Sequence, residues 1–397
     1  MFELNRDVIF VQGAKNGAIY NFNTGKVYSV NDTACEIIKQ YINNPDFTAC
    51  NRYLERLRKE DLVSKDFVPR PFQPIINNSI NLEVAWIEIT EKCNLKCVHC
   101  YEGNVHESNG SSLSIDQWKD VIKQLANLNI KRLIIIGGEP GCYPYLNDII
   151  NYAACFPIDI TLFTNATCFT EKLLDCVVKN KIQVKVSVYG HCGKIHDSVT
   201  GVPGSFDKMT TAIEKLISHG ISVSSALIIL KENQDYLNEI IDFIKSTGMK
   251  YSRYDVIRQV YGGTQNTHTP TNKDIISKLY MSSPNFRTTK DSFFHHINRN
   301  TCWYGKIAIK ENGDVIPCEF ERKTVYGNVL KESITDIIYS DKARQMWFWD
   351  FKQVDGCCDC EFRYACKDCR PLGYSVCGNL HTKNPRCCYD VYNGRWG

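Results

Sequence analysis

The chain has 397 residues, 43% of them hydrophobic and 23% charged, with a formal net charge of +3. That length suggests two to three domains, and so small a charge argues neither for nor against nucleic acid or a membrane surface. No run of eighteen apolar residues exists and Met1-Phe-Glu-Leu-Asn-Arg6 lacks a signal-peptide pattern, so a cytoplasmic protein with no membrane or nucleic-acid partner is expected. Twenty cysteines then need a reason. Disulfides are rare in a reducing compartment, and metal binding is the commoner use of thiols there. Ten of the twenty fall between Cys302 and Cys388.

Residues 1–75 come first as a separate unit. Val8–Val11, Ala18–Asn21 and Lys26–Val30 read as short strands, the last two joined by a turn at Asn23-Thr-Gly25. Thr33-Ala-Cys-Glu36 reads as a capping box opening a helix through Ile42. A second helix, Phe47–Lys59, precedes Asp61-Leu-Val63. Phe67-Val-Pro-Arg-Pro-Phe-Gln-Pro74 is the expected linker, extended by its three prolines. Strands followed by helices, with Gly25-Lys-Val-Tyr-Ser-Val-Asn31 as hairpin, resemble the PqqD-like peptide-recognition element, a small α+β winged-helix-like domain. The resemblance implies that a leader peptide adds as a strand to an exposed sheet edge. The alternative is a generic helical cap over the mouth of the next domain.

From residue 82 to 257 strands and helices alternate. Leu82–Thr90, Arg132–Ile136, Ile158–Phe163, Gln183–Val188, Ile221–Ile229 and Ser252–Ile257 read as strands. Ser114–Leu128, Tyr145–Cys155, Glu171–Val178, Ser205–His219 and Asp235–Thr247 read as helices, with a capping box at Ser114-Ile-Asp-Gln117. Six such units predict an α/β fold, a parallel barrel-like sheet too short to close as a standard eight-unit barrel. Ligands of such sheets gather at the carboxyl ends of the strands.

Three features fall at those ends. After the first strand, Cys93, Cys97 and Cys100 place three thiols on one loop with no fourth. An ordinary iron–sulfur cubane takes four thiolates, so three leave one iron open to a small molecule. A structural zinc site, the alternative, usually wants four ligands in paired spacing. The second strand ends in Gly137-Gly138-Glu139-Pro140, whose glycines let the backbone approach a ligand and whose carboxylate can pair with an ammonium group. The alternative is a plain Gly-Gly turn. Thr164-Asn165 and Ser187 close the third and fourth strands, and Arg258 follows the sixth.

The loop, with His99 before its last cysteine, and the Gly-Gly-Glu-Pro run resemble the hallmarks of the radical S-adenosylmethionine (SAM) superfamily. The resemblance implies a partial (βα)6 barrel, a 4Fe–4S cluster on the three cysteines, and Gly137 to Pro140 holding the amino group of SAM. It also makes His99, Thr164, Asn165, Ser187 and Arg258 candidate SAM contacts, although Tyr189 stands where relatives often carry an acid. Capped turns are the bland reading of those polar residues.

In the last third, Ile307–Ile316 reads as a hairpin turning at Asn312-Gly313, between Cys302 and Cys318. Cys357, Cys360, Cys366, Cys369 and Cys387 follow. The pattern resembles the SPASM extension, which carries two auxiliary 4Fe–4S clusters. Carried over, Cys302, Cys318 and Cys369 serve the first, and Cys357, Cys360, Cys366 and Cys387 the second. Two residues, not the usual three, precede Cys369. Three cubanes less the iron that SAM takes need eleven thiolates, and the motifs supply ten. The first auxiliary cluster therefore has an open iron, or Cys377 completes it. Cys358 and Cys388 stand ready to replace Cys357 and Cys387. A zinc-ribbon reading of Cys357 to Cys388 leaves Cys302 and Cys318 unexplained. Cys35, Cys50, Cys142, Cys155, Cys168, Cys176 and Cys192 lie outside every motif, and most of them read as small buried hydrophobes. Cys142 and Cys192 follow the candidate SAM loops and are candidate hydrogen-atom donors, with a structural role as the alternative. His295-His296 reads as surface.

The three resemblances together (recognition element 1–75, barrel 76–290, SPASM 291–397) imply a maturase of ribosomally made peptides. Cys360-Glu-Phe-Arg-Tyr-Ala-Cys366 is similar to those of grasp-with-spasm systems. Such an enzyme takes an electron from a flavodoxin or ferredoxin and cleaves SAM to a 5′-deoxyadenosyl radical. That radical removes hydrogen from a leader-bound precursor peptide, which then closes an intramolecular cross-link, thioether or cyclophane. A formylglycine-type protein maturase, a peptide epimerase and a non-enzymatic peptide-binding iron–sulfur scaffold are the alternatives.

Overall fold

The computed structural model describes residues 1–45, 52–74, 76–100, 112–258 and 267–397. Phe47, the expected start of the second helix, and Cys50 lie outside them. Contacts divide the chain into two compact units: residues 1–79, 280–304 and 347–397 form one, residues 80–279 and 305–346 the other. Thus residues 305–346 pack with the barrel strands although they follow Cys302 in the chain.

In the first unit, β1 (Phe2–Asn5), β2 (Val8–Gln12), β3 (Gly17–Asn21), β4 (Lys26–Val30) and β5 (Arg70–Pro71) form one antiparallel sheet in the order β4-β3-β2-β1-β5. The period-2 alternation of β2 and β3 sends side chains to two different cores. Val8, Phe10 and Ile19 meet α1 (Asp32–Asn43) and α2 (Arg52–Lys59) through Cys35, Ile38, Tyr41, Leu54 and Leu57. Ile9, Val11, Ala18 and Tyr20 pack instead on Phe293, Ile297, Phe362, Tyr364, Tyr389 and Val391. Both faces of the sheet are therefore buried. β1 and β5, of four and two residues, were too short to show a pattern in the sequence.

Two expectations are corrected here. The first helix is capped by Asn31, whose side-chain oxygen accepts the Ala34 N–H at 2.9 Å, so Thr33 lies inside the first turn rather than at the cap. His296 is buried, not surface, with Nδ1 3.0 Å from the Tyr364 carbonyl oxygen. It shares the buried face of its helix with Phe293 and Ile297, three residues before and one after.

In the second unit, β6 (Val84–Glu88), β7 (Arg132–Ile136), β8 (Asp159–Thr164), β9 (Gln183–Val188), β10 (Val223–Ile229) and β11 (Tyr254–Val256) pair in parallel, each beside its predecessor. Between them run α3 (Ile115–Asn127), α4 (Leu146–Ala153), α5 (Glu171–Lys179), α6 (Gly193–Thr200), α7 (Ser205–Ser218) and α8 (Leu237–Ser246). Buried Trp118, Val121, Ile122 and Leu125 show why α3 forms, an apolar stripe at i, i+3, i+4 and i+7. Its Ser114–Gln117 capping box is present as expected. α6 was not expected; it begins at Cys192 without a side-chain cap, so no start signal marks it. The sheet does not stop at β6. β12 (Lys306–Ile309) lies parallel to β6, and β13 (Asp314–Ile316) and β14 (Gly327–Asn328) continue it antiparallel. The expected hairpin at Asn312-Gly313 thus forms, as an edge of the barrel sheet. Among the described residues no helix is long and apolar enough to cross a membrane.

Candidate functional site

Beyond β6 and β7 the two chains stay paired into the cysteine loop. Ile89 N–H donates to the Ile136 carbonyl at 3.0 Å, Gly138 N–H to Thr90 at 2.7 Å and Glu139 N–H to Lys92 at 2.8 Å. A Cβ on Gly137 would sit 2.3 Å from the Thr90 oxygen, and one on Gly138 2.4 Å from the Lys92 oxygen. The glycines therefore admit the backbone of the cysteine loop itself. On its other side, Lys96 N–H and Val98 N–H donate to Thr200 and Val199 at the end of α6, at 2.9 and 3.0 Å. Gly201, at φ +70°, leaves no room for a Cβ beside the Lys96 oxygen.

Cys93, Cys97 and Cys100 are each half-buried. Burial, then the charges of Cys93 and Cys100, push Cys97 up to about 12; burial raises Cys93 to about 11. Three thiolates this close repel one another, which bound iron would reverse. Leu95 N–H and the Asn165 side-chain amide point at the Cys93 sulfur, at 3.4 and 3.9 Å, and favour its ionised form. Those donors and mutual charges fit the three residues to a cluster. No group of three His, Cys, Asp or Glu side chains among the described residues converges as ligands of a single ion.

Glu139 is 1% exposed, yet its carboxylate accepts from Thr164 Oγ1 at 2.6 Å, Asn165 N–H at 2.7 Å and Gly141 N–H at 2.9 Å. Burial raises its pKa and these three bonds oppose the rise. Thr164 and Asn165 thus touch Glu139, and Asn165 also reaches the Asn94 side chain at 3.1 Å. Pro140 opens the short 3-10 turn that Glu139 caps. Ser187 hydrogen-bonds the Tyr189 hydroxyl, whose pKa burial raises. The Tyr189 ring meets His99 edge-on at 4.7 Å. His99 Nδ1 is buried without a partner, and burial lowers its pKa to about 4, keeping the ring neutral. Arg258 is engaged by Asp255 at 2.9 Å and lies over the Phe320 ring at 4.7 Å.

The two candidate hydrogen donors differ. Cys142 has its sulfur 3.7 Å from that of Cys168, a neighbour 26 positions away that no local pattern pairs with it. Cys192 starts α6. Also unforeseen is a buried bidentate pair between Glu88 and Arg322, at 2.6 and 2.9 Å.

In the first unit Cys357, Cys360, Cys366 and Cys387 lie near enough for their charges to act on one another. Burial raises the first three, Cys360 to about 12, and the charges of Cys357, Cys360 and Cys387 all act on Cys366. The Cys358 thiol answers to burial and Asp359 instead, and Cys388 pairs its backbone with Met281 and Gly397. Cys302 and Cys369 belong to this unit and Cys318 to the other, so neither unit by itself assembles that triad. Cys377 is exposed, its sulfur 2.7 Å from Thr382 Oγ1.

Two family models match parts of the chain. Residues 87–244 match the radical SAM superfamily, and residues 302–370 match the SPASM iron–sulfur cluster-binding domain. The chain is 27% identical over 316 residues to the antilisterial bacteriocin subtilosin biosynthesis protein AlbA of Bacillus subtilis, covering 76% of this chain and 69% of AlbA. It is 23% identical over 341 residues to the AdoMet-dependent heme synthase of Methanosarcina barkeri, covering 77% and 96%. Streptococcus suis SuiB bound to its precursor peptide SuiA has the same fold, with a TM-score of 0.62 at 16% identity over 98% of this chain and 100% of SuiB.

Proposed function

We propose that this radical SAM enzyme, with its SPASM domain, is a maturase that cross-links a ribosomally made precursor peptide within itself, through a thioether or cyclophane bond. The observation that carries the reading is the fixed Glu139 carboxylate beside a three-thiol loop. Cys93, Cys97 and Cys100 would hold a 4Fe–4S cluster with one iron left for SAM; Glu139 would take the SAM ammonium group. When bound, cluster and SAM supply the 5′-deoxyadenosyl radical that removes hydrogen from the peptide. The protein's own part is positional: Thr164, Asn165 and Gly141 hold Glu139 in one geometry, and the His99 and Tyr189 rings wall the site against water. Ser187 steadies Tyr189. Arg258 is a weaker candidate for the SAM carboxylate, because Asp255 already neutralises it.

Two auxiliary 4Fe–4S clusters, three in all, would draw on Cys357, Cys360, Cys366 and Cys387 for one and on Cys302, Cys318 and Cys369 for the other, as acceptors of the electron left by bond formation. Residues 1–75 would bind the leader at a sheet edge; β4 and β5 end the strand order, and β4 already bridges Arg287 through Lys26. A flavodoxin or ferredoxin would supply the starting electron in the cytoplasm. AlbA is named for bacteriocin biosynthesis and SuiB has been seen bound to a precursor peptide; these likenesses support a peptide substrate. The match to a heme synthase favours a non-peptide substrate instead.

Anaerobic reconstitution with SAM, dithionite and the peptide encoded beside the gene tests the proposal. A peptide lighter by two hydrogens supports a cross-link. Unchanged mass with an inverted residue means epimerisation, 5′-deoxyadenosine without peptide change points to another substrate, and none at all ends the enzyme reading.

A further inference from the structure

The hairpin β12–β13 carries a residue that the site described above does not use. Glu311 lies in the turn that follows β12, two residues past its end, and is 5% exposed. Its Oε2 accepts the Glu91 N–H and its Oε1 accepts the Ser112 hydroxyl. Its own carbonyl oxygen accepts the Leu113 N–H at 2.9 Å. Glu91 stands two residues before Cys93, and Ser112 and Leu113 lead into the cap of α3. One residue therefore grips the chain where it enters the cysteine segment and again where it leaves.

The grip is only as firm as the hairpin, and the hairpin is well held. β12 pairs with β6 from Lys306 against Val84 to Ile309 against Ile87. Past β13, Arg322 closes on Glu88 at the end of β6, both side chains being 2% exposed or less. The turn is locked by Gly313 at φ +87° and by Asn328, whose amide donates to the Asn312 carbonyl at 3.1 Å. Two carboxylate contacts, one at the foot of the cysteine loop and one around it, thus join the barrel to a segment that falls inside the SPASM match.

We propose that Glu311 is a positioning residue for the cluster loop, so that the SPASM stretch holds the geometry of Cys93, Cys97 and Cys100. This rests on the reading that those cysteines bind the SAM cluster. A carboxylate suits the task because it offers one acceptor to each of two donors on separate segments, with charge-assisted strength. Glutamine can replace it. Its carbonyl accepts the Glu91 N–H, and its NH2 donates to the Ser112 oxygen, since a hydroxyl turns to accept as readily as to donate. Alanine can do neither. The radical SAM half of the chain is then not self-sufficient: losing residues 305–322 disorders its loop even where auxiliary clusters are not needed.

The test is amide hydrogen exchange at Glu91 in the cluster-free chain, for wild type, Glu311→Gln, Glu311→Ala and Ser112→Ala, followed by SAM cleavage in the reconstituted proteins. Protection at Glu91 is expected in wild type, E311Q and S112A, and exchange faster by about tenfold or more in E311A. SAM cleavage should fall about 10–100-fold in E311A, the range for groups that orient metal ligands, and recover to near wild type in E311Q. Equal exchange at Glu91 in E311A and wild type overturns the proposal, and so does an E311A protein that cleaves SAM at the wild-type rate. If E311A does not fold, E311Q must still protect Glu91 and cleave SAM, and its failure in either overturns the proposal. A wild-type protein that forms no 5′-deoxyadenosine removes the radical reading instead, and leaves the exchange result at Glu91 standing as the measure of the Glu311 tie.

Discussion

The two cysteine groups of this chain are built from opposite materials. Cys93, the first thiol of the loop, faces hydrogen-bonding groups: the Asn165 amide, itself bonded to the Asn94 side chain, and nearby a carboxylate, Glu139, held by three donors. Cys360 and Cys387 sit instead against Phe286, Phe362, Tyr364, Tyr389 and Trp396. A polar rim with a buried acid suits a group that must admit and release a charged ligand. An aromatic shell keeps water from a resident group and sets its potential through burial. The difference teaches that the number of thiols is only half of the distinction; the surroundings carry the other half.

The sharpest way to break this comparison is to remove one thiol from each group. Cys97→Ala should reduce 5′-deoxyadenosine formation to background. Cys360→Ala should lower the iron content and abolish the modified peptide while SAM cleavage persists. If Cys360→Ala stops SAM cleavage as completely as Cys97→Ala, the division of labour is wrong. The aromatic shell is tested next. Phe293 is fully buried and meets Tyr20 and Phe22 edge-on at 4.9 and 5.1 Å, so Phe293→Ala should cost about 3–5 kcal/mol, read as a lower denaturation midpoint.

On the polar side, acid is the probe. His196 is 1% exposed, its Nδ1 accepts the Tyr189 N–H at 3.3 Å, and burial lowers its pKa from 6.5 to about 4, against the opposing charge of Asp197. The folded value lies below the unfolded one, so this contribution is complete above pH 6.5 and is lost as pH falls toward 4. A difference of that size is worth about 3 kcal/mol. His196→Gln keeps an acceptor for Tyr189 and should flatten the stability profile by one proton across that window; an unchanged slope would mean the ring is not held neutral. The smallest effect belongs to Tyr20, whose hydroxyl donates to the Glu361 carbonyl at 2.7 Å in the interior. Tyr20→Phe should cost about 1–2 kcal/mol and leave SAM cleavage untouched.

The six barrel strands and the helices foreseen between them were legible to within two residues at each end, because each is short and strongly patterned. The cysteine loop and Gly-Gly-Glu-Pro were legible for the same reason: their residues are neighbours in the chain. Where reading failed, the partners were distant. Glu88 and Arg322 are 234 positions apart, and Glu311 and Glu91 are 220. His296 looked exposed because a histidine pair says nothing about which helix face carries it. Thr33 outranked Asn31 as a cap because both are good capping residues and only backbone geometry chooses between them.

Sequence alone determined the inventory: three thiols on one loop, an acid after two glycines, six βα units and a second cysteine field. Local spacing does this, since a motif is a short-range object. Only the tertiary structure decided that the first sheet is buried on both faces and that the hairpin after Cys302 extends the barrel sheet. Those choices depend on which side chains fill a shared volume and which donors meet an acceptor across hundreds of positions. Periodicity specifies a face, but not what will cover it.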